Sequence, residues 1–122
     1  MRSPPVTASI SDTVSSIVKK MTFNDIGAII IMNRGLKAGI VTERDLIEKV
    51  LDAHRNADET PAGEVMSSPV LSIEASRSVG EALKLMESKK VRRLAVTKNG
   101  RLVGIVTERR LLYSLASVAE FL

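Results

Sequence analysis

Apolar residues recur at the spacing of one helix face in two stretches of the chain. The i, i+3, i+4, i+7 pattern is met first by Val14, Ile17, Val18 and Met21. It is met again, at an offset of 65 residues, by Val79, Ala82, Leu83 and Met86. Ser78 and Glu81 carry the signature of a capping box at the start of the second stretch, and Asp12 or Thr13 can cap the first. We therefore predict two amphipathic helices.

Each predicted helix is followed by two short runs with strand character and a tight turn between them. In the first copy the runs are Ile26–Met32 and Ala38–Val41, and in the second they are Val91–Thr97 and Leu102–Val106. The turns, Asn33-Arg34-Gly35 and Lys98-Asn99-Gly100, have the composition of hairpin loops. A short extended piece precedes each helix, at Val6–Ala8 and Val70–Ile73, and a closing helix begins at Thr42 and Thr107. The predicted element order is β-α-β-β-α, twice.

The internal repeat is sharpest where the last strand meets the closing helix. Gly39–Leu46 reads GIVTERDL and Gly104–Leu111 reads GIVTERRL, so seven of eight positions are identical. The exception places Arg110 where the first copy has Asp45. We divide the chain into a first repeat at 1–57, a linker at 58–65 and a second repeat at 66–122. One repeat buries too little apolar surface alone, so we predict an α+β fold in which two repeats pack sheet to sheet about a pseudo-twofold axis.

Composition and charge narrow the class of protein. The chain has 122 residues and no cysteine, which excludes disulfides, thiolate metal sites and cysteine nucleophiles. Its longest apolar run is too short to cross a bilayer, and we expect a cytoplasmic protein without a membrane partner. The net charge of +4 favours anionic partners. Two Phe, one Tyr and no Trp leave few rings for base stacking, so nucleic acid is the weaker alternative.

The repeat resembles the CBS (cystathionine-β-synthase) domain family, in the form of a stand-alone tandem pair called a Bateman module. The resemblance rests on the element order, on the Gly-h-h-Thr-x-x-Asp segment at Gly39–Asp45 and its partner at Gly104–Arg110, and on the openings around Pro4 and Pro69. It implies a regulatory, non-catalytic module that binds an adenosine-containing compound in clefts between the repeats. AMP, ADP or ATP is the expected ligand, with S-adenosylmethionine less favoured, and no cofactor or metal is expected.

The resemblance also implies which residues line the first cleft. Asp45 would accept hydrogen bonds from the ribose hydroxyls with Thr42 beside it, and arginines would face phosphates, for which their planar guanidinium is suited. The residues expected at this site are Ile40, Thr42, Asp45, Pro69, Val70, Leu71, Arg92, Arg93 and Arg109. Thr-x-x-Asp is equally a helix N-cap motif, so a purely structural role for Thr42 and Asp45 stays open.

The second cleft departs from the family pattern. Its residues would be Thr107, Arg110, Pro4 and Val6, and a guanidinium has only donors, so Arg110 cannot accept a ribose hydroxyl. A cation in the first helical turn also opposes the helix dipole. We expect this cleft to be empty or to bind an anion, and hence one good nucleoside site rather than two.

The closing helix and the open alternatives concern how the protein assembles and what it does. The closing helix Arg109–Leu122 is apolar on more than one face, and with Leu46–Leu51 it predicts a homodimer. The resemblance also implies a regulated protein, fused or separate, to which the module passes its signal. Besides ligand sensing, two alternatives stay open: a scaffolding CBS pair with empty clefts, and a nucleic-acid binder that uses its basic surface.

Overall fold

The computed structural model describes residues 5–120, with side chains as far as Leu115. The chain forms two compact units, one at Val6–Val70 and one made mainly of the chain from Leu71 onward. Each unit has the β-α-β-β-α order, so the α+β fold with two repeats is confirmed. The division at residues 57 and 66 stays a prediction, although the predicted linker supplies three buried residues to the first unit, Thr60, Ala62 and Val65.

The first unit is a three-stranded sheet with helical segments. Its elements are β1 (Thr7–Ser9), α1 (Val14–Asn24), β2 (Ala28–Asn33), β3 (Leu36–Thr42), α2 (Glu43–Leu46), a π-helical turn (Ile47–Leu51) and a 3₁₀ turn (Ala62–Glu64). Strand β2 is central, parallel to β1 and antiparallel to β3. The core includes Val14, Ile17, Ile29, Ile31 and Val65. Val18, predicted on the buried face of α1, is instead 38% exposed.

The second unit repeats this topology. Its elements are β4 (Ser72–Glu74), α3 (Val79–Lys89), β5 (Arg93–Lys98), β6 (Arg101–Thr107) and α4 (Glu108–Glu120). Strand β5 is central, parallel to β4 and antiparallel to β6. Ala82, Met86, Leu94 and Leu111 form the buried centre of its core.

Capping explains where the helices begin and end. Thr13 caps α1, and Ser78 with Glu81 forms the predicted capping box of α3. Both helices end at a left-handed residue, Asp25 or Lys90. The next amides still donate to the helix, from Ile26 N to Met21 O and from Val91 N to Met86 O, both at 3.0 Å. This C-terminal cap is why β2 and β5 begin two residues later than predicted.

The hairpin turns need residues with positive φ. Arg34 and Gly35 have φ of 52° and 80°, and Asn99 and Gly100 have 53° and 79°. Two consecutive positive φ angles characterise the type I′ turn that matches the twist of a two-residue hairpin. The predicted hairpins β2–β3 and β5–β6 are therefore confirmed.

Candidate functional site

The junction between β3 and α2 is closed by a capping box. The Thr42 hydroxyl accepts a hydrogen bond from the Asp45 backbone N–H at 3.1 Å. In return, Asp45 Oδ2 accepts from the Thr42 N–H at 2.9 Å and from the Thr42 hydroxyl at 3.0 Å. This reciprocal arrangement satisfies amides that the start of a helix leaves without partners. Thr42 and Asp45 therefore do cap the helix, which is the structural role that the Thr-x-x-Asp spacing allowed.

A second chain segment lies against β3 at this junction. Ile40 N donates to Ser67 O at 2.9 Å, and Ser67 N donates to Ile40 O at 2.8 Å. The approach depends on Gly39, because a Cβ there would lie 2.5 Å from Met66 Sδ and 2.9 Å from Ser67 O. We call residues Val65–Val70 the crossing segment. It belongs to the same compact unit as Asp45.

The Asp45 carboxylate is buried and fully engaged. Its residue is only 6% exposed. Besides the two bonds from Thr42 to Oδ2, Oδ1 accepts from the Ser67 hydroxyl at 2.9 Å and pairs with Lys49 Nζ at 3.0 Å. Lys49 Nζ also donates to Val65 O and to Ser67 Oγ, both at 3.2 Å. Asp45 thus ties α2 to the crossing segment.

These contacts keep the buried carboxylate ionised. Burial of Asp45 raises its pKa. Against this act the hydrogen bonds from the Thr42 backbone N–H, from Lys49, from Ser67 and from the Thr42 hydroxyl, and together they hold the pKa of Asp45 below its ordinary value of 3.8. Hydrogen bonds to the charged form favour that form. The Asp45 carboxyl group is therefore ionised at neutral pH and paired with the Lys49 ammonium.

The first unit contains five of the residues predicted for the first cleft. Ile40 lies half-buried in β3, and Thr42 and Asp45 follow it at the junction. Pro69, which is exposed, and Val70, which is half-buried, end the crossing segment. The Ser68–Pro69 peptide is cis.

The other four predicted residues lie in the second unit. Leu71 is half-buried, and its carbonyl accepts from Ala95 N at 2.9 Å. Arg92 and Arg93 stand at the start of β5, where the Arg92 carbonyl accepts from Glu108 N at 2.8 Å. Arg109 is exposed in the first turn of α4, with its guanidinium 5.8 Å from the centre of the Tyr113 ring.

The residues predicted for the second cleft are likewise divided between the two units. Thr107 Oγ1 accepts from Arg110 N at 3.1 Å, so Thr107 caps α4 as Thr42 caps α2. Arg110 is exposed, and in the described part of the chain its guanidinium has no carboxylate partner within 4.0 Å. Val6 packs against the core of the first unit. Pro4 lies outside the described residues.

The sequence family is decided by comparison with known proteins. A family model of the CBS domain matches residues 1–52 and 62–117. The chain belongs to the CBS domain family.

Individual relatives agree with this assignment. An uncharacterized protein of Methanopyrus kandleri is 40% identical over 121 residues, which cover 94% of this chain and 62% of that protein. The chain thus spans less than two thirds of that relative. Hypoxic response protein 1 of Mycobacterium tuberculosis is 36% identical over 98 residues, or 80% of this chain and 68% of that protein. A solved CBS-domain structure from Burkholderia ambifaria has a TM-score of 0.83 at 33% identity and covers 93% of this chain and 83% of that chain.

A solved structure of Hypoxic Response Protein I holds two coordinated zinc ions. Among the described residues of this chain, no cluster of three or more His, Cys, Asp or Glu side chains could hold a metal ion. No helix in the same residues has the length and apolar character needed to span a membrane.

Two residues that contact Asp45 were not among those predicted from the sequence. Lys49 stands four residues after Asp45, a spacing that places both side chains on one helix face, and this signal was visible in the sequence. Ser67 touches Asp45 only because the crossing segment pairs with β3, and no local pattern predicts such a long-range contact. The second repeat has Arg110 and Ser114 at the positions of Asp45 and Lys49, so the acid and its cation are replaced together.

Proposed function

We propose that this CBS pair is a regulatory, non-catalytic module of the cytoplasm that binds an adenosine-containing compound at the Asp45 junction. The observation that carries the proposal is a buried, ionised carboxylate placed between the end of β3 and the crossing segment. A carboxylate accepts two hydrogen bonds at once, which suits the vicinal hydroxyls of ribose. Thr42 supplies a hydroxyl next to it.

The same unit offers apolar surface for a base. Ile40 and Val70 are half-buried, and Pro69 is exposed beside Val70. Apolar side chains with a few well-placed polar groups are typical of small-molecule sites. Ile40 and Val70 would contact the adenine, while Asp45 and Thr42 would bind the sugar.

Arginines of the second unit favour a phosphorylated ligand. Arg93 is paired with Thr107 across the β5–β6 hairpin, so Arg92, Arg93 and Arg109 all lie at the end of the hairpin opposite its turn. In the described part of the chain none of the three has a carboxylate partner within 4.0 Å. We therefore expect AMP, ADP or ATP to bind more tightly than S-adenosylmethionine. Arg110 replaces the ribose acceptor of the second repeat, so its cleft would hold an anion or nothing.

Signalling would pass through an assembly of copies and a protein partner. Apolar side chains are exposed on both closing helices, at Ile47, Leu51, Leu112, Tyr113 and Leu115. A homodimer that covers these side chains follows from the cost of leaving them in water. The regulated protein would read the ligand-dependent state of that assembly.

One observation favours a second function, that of a scaffolding CBS pair with empty clefts. The Asp45 carboxylate already accepts from the Thr42 N–H and hydroxyl, the Ser67 hydroxyl and the Lys49 ammonium. In this case the Asp45 cluster would serve only to hold the crossing segment against α2 and β3.

Thermal melting with AMP, ADP, ATP and S-adenosylmethionine distinguishes the two functions. A ligand that binds only the folded state stabilises it by about 2.7 kcal/mol at a hundred times its dissociation constant, so we expect a raised melting temperature with the nucleotides. Asp45→Ala should abolish the shift. The variant also loses the Asp45 half of the capping box and a buried ion pair, at a cost of about 1–3 kcal/mol, so the ligand-induced shift is the quantity to compare rather than the melting temperature itself.

Arg110→Ala is the matched control, because it changes the same position of the other repeat. We expect it to keep the nucleotide-induced shift. If Asp45→Ala kept the full shift, the site assignment would be wrong. If none of the four compounds shifted the melting temperature of the natural protein, the scaffolding function would be favoured.

A further inference from the structure

All acceptor positions of the Asp45 carboxylate are filled by the protein itself. A carboxylate offers about four lone-pair positions. Thr42 fills two on Oδ2 with its N–H and hydroxyl, at 2.9 and 3.0 Å. Ser67 and Lys49 fill two on Oδ1, at 2.9 and 3.0 Å. A ribose diol can therefore bind Asp45 only if some of these donors leave.

The donors differ in how readily they can leave. The Thr42 bonds belong to the capping box, so breaking them would open the first turn of α2. Lys49 is different, because its side chain is 40% exposed, against 9% for that of Asp45. A lysine ammonium on its flexible stem can turn into water and keep its hydration. The Ser67 hydroxyl can rotate about its Cβ–Oγ bond and so turn its hydrogen away from Asp45.

We propose that Lys49 closes the Asp45 site in the ligand-free protein, and that a ribose binds by exchanging its two hydroxyls for the Lys49 ammonium and the Ser67 hydroxyl on Oδ1. This inference rests on the proposed function, since it concerns how the same site is regulated. Lys49 is thus an internal competitor that sets the threshold concentration for binding. Its contacts with Val65 O and Ser67 Oγ, both at 3.2 Å, also link ligand arrival to the hold on the crossing segment.

Removing the competitor should raise the affinity for an uncharged nucleoside. Lys49→Met keeps the length and apolar stem of the side chain and deletes its charge and its donors. We expect adenosine to bind about three- to thirtyfold more tightly to Lys49→Met than to the natural protein, the range set by the worth of a half-exposed ion pair with charged hydrogen bonds. Isothermal calorimetry with adenosine measures this directly, and an uncharged probe removes any attraction between Lys49 and phosphate.

The salt dependence of adenosine affinity tests the same proposal on the natural protein, without a substitution. Ions screen a half-exposed pair, so raising the salt concentration should weaken the Lys49–Asp45 contact and increase adenosine affinity. The affinity of Lys49→Met should not change with salt. Lys20→Met is the matched control, since Lys20 donates to Thr7 O at 2.9 Å in the same unit and does not touch Asp45. It should bind adenosine as the natural protein does.

Ser67→Ala provides a second variant in case Lys49→Met folds poorly. It removes one competing donor without a change of charge, and we expect a smaller rise in adenosine affinity. If both variants bound adenosine no more tightly than the natural protein, the closing role would be overturned while nucleotide binding stood. If neither the natural protein nor the variants bound adenosine or any of the four nucleotide ligands, the proposed function would fail and the closing role with it. Binding by Lys49→Met alone would support the closing role.

Discussion

At the residue scale, Asp45 remains charged in a buried position because four donors from three residues surround it. Thr42 supplies two of them, and Lys49 and Ser67 supply one each. Three of the four come from residues within four positions along the chain, and the fourth comes from the crossing segment. The charge therefore depends on both local structure and a long-range contact.

The lowered pKa of Asp45 makes stability depend on pH with a defined sign. Above its ordinary value of 3.8 the carboxylate is ionised in both the folded and unfolded states, and its interactions contribute fully. As the pH falls below that value, the unfolded state takes up the proton first, so the free energy of unfolding declines until the folded-state pKa is passed.

We expect Asp45→Asn to be less stable by about 1–3 kcal/mol at neutral pH, since it loses the ion pair and charged hydrogen bonds. The difference from the natural protein should shrink in acid, because the variant has no group to titrate there. Urea unfolding across a pH series measures both curves. Other acidic groups, such as Glu81, occur in both proteins and cancel in the difference. If the difference in free energy of unfolding between the two proteins stayed constant down to the lowest pH, the lowered pKa of Asp45 would be contradicted.

Single residues show what the sequence could and could not reveal. Thr42, Asp45 and Arg110 stand out because the repeat aligns them and one position breaks the match. Lys49 follows from helix spacing. Ser67 does not, because its contact with Asp45 requires the crossing segment to lie against β3, and hydrophobic periodicity contains no information on that pairing.

At the element scale, the crossing segment is held to β3 by the paired amides of Ile40 and Ser67 and by the absence of a side chain at Gly39. A methyl group at Gly39 would lie 2.9 Å from the backbone oxygen of Ser67, which cannot rotate away as the Met66 side chain can. The segment would have to move away from β3. Its hold on Asp45 would weaken with it.

Gly39→Ala should therefore destabilise the protein by about 1–3 kcal/mol, the usual range for forced overpacking, and should reduce nucleotide binding. Gly80→Ala is the contrasting control. Its new Cβ would meet nothing closer than Ser78 Oγ at 3.8 Å, and Ala is favoured over Gly within helix α3. We expect that variant to be more stable by about 0.5–1 kcal/mol. Denaturant unfolding of both variants tests the pair, and equal effects would refute the close approach at Gly39.

Element order was fully predictable, whereas element ends were not. The 3.6-residue periodicity predicted helices α1 and α3, and the turn residues predicted the two hairpins. Both signals are readable because they depend only on residues that are close in sequence. Strands β2 and β5 started late because Ile26 and Val91 still donate to α1 and α3. That capping geometry depends on a left-handed Asp25 and Lys90, and neither residue type signals it as glycine does.

At the scale of the whole molecule, apolar side chains exposed on the closing helices call for a covering surface. Ile47 is 53% exposed and its repeat counterpart Leu112 is 49% exposed. Ile47 and Leu51 also line an open apolar groove of about 560 Å³ in the first unit, beside Val14 and Val18. The homodimer proposed from the sequence would bury these positions.

We expect the protein to be a dimer at micromolar concentration by light scattering, and Ile47→Asp or Leu112→Asp to shift it toward monomer, because a buried unpaired charge is costly. Leu36→Asp is the control, as it changes another exposed leucine that belongs to strand β3 and not to a closing helix. It should remain dimeric. A monomeric natural protein, or equal loss of dimer in all three variants, would rule out this interface.

The crossing segment belongs to the second repeat by sequence similarity but to the first compact unit by packing. Residues 62–70 fall in the second family match, yet they pack within the first compact unit, where Ala62 and Val65 are fully buried. A chimera joined between the family matches would bring a foreign residue 67 to the resident Asp45. A join between Val70 and Leu71 would instead keep the core of each compact unit, and Asp45 together with Ser67, from one parent. In this chain, the boundary between the packing units is therefore displaced from the gap between the two family matches.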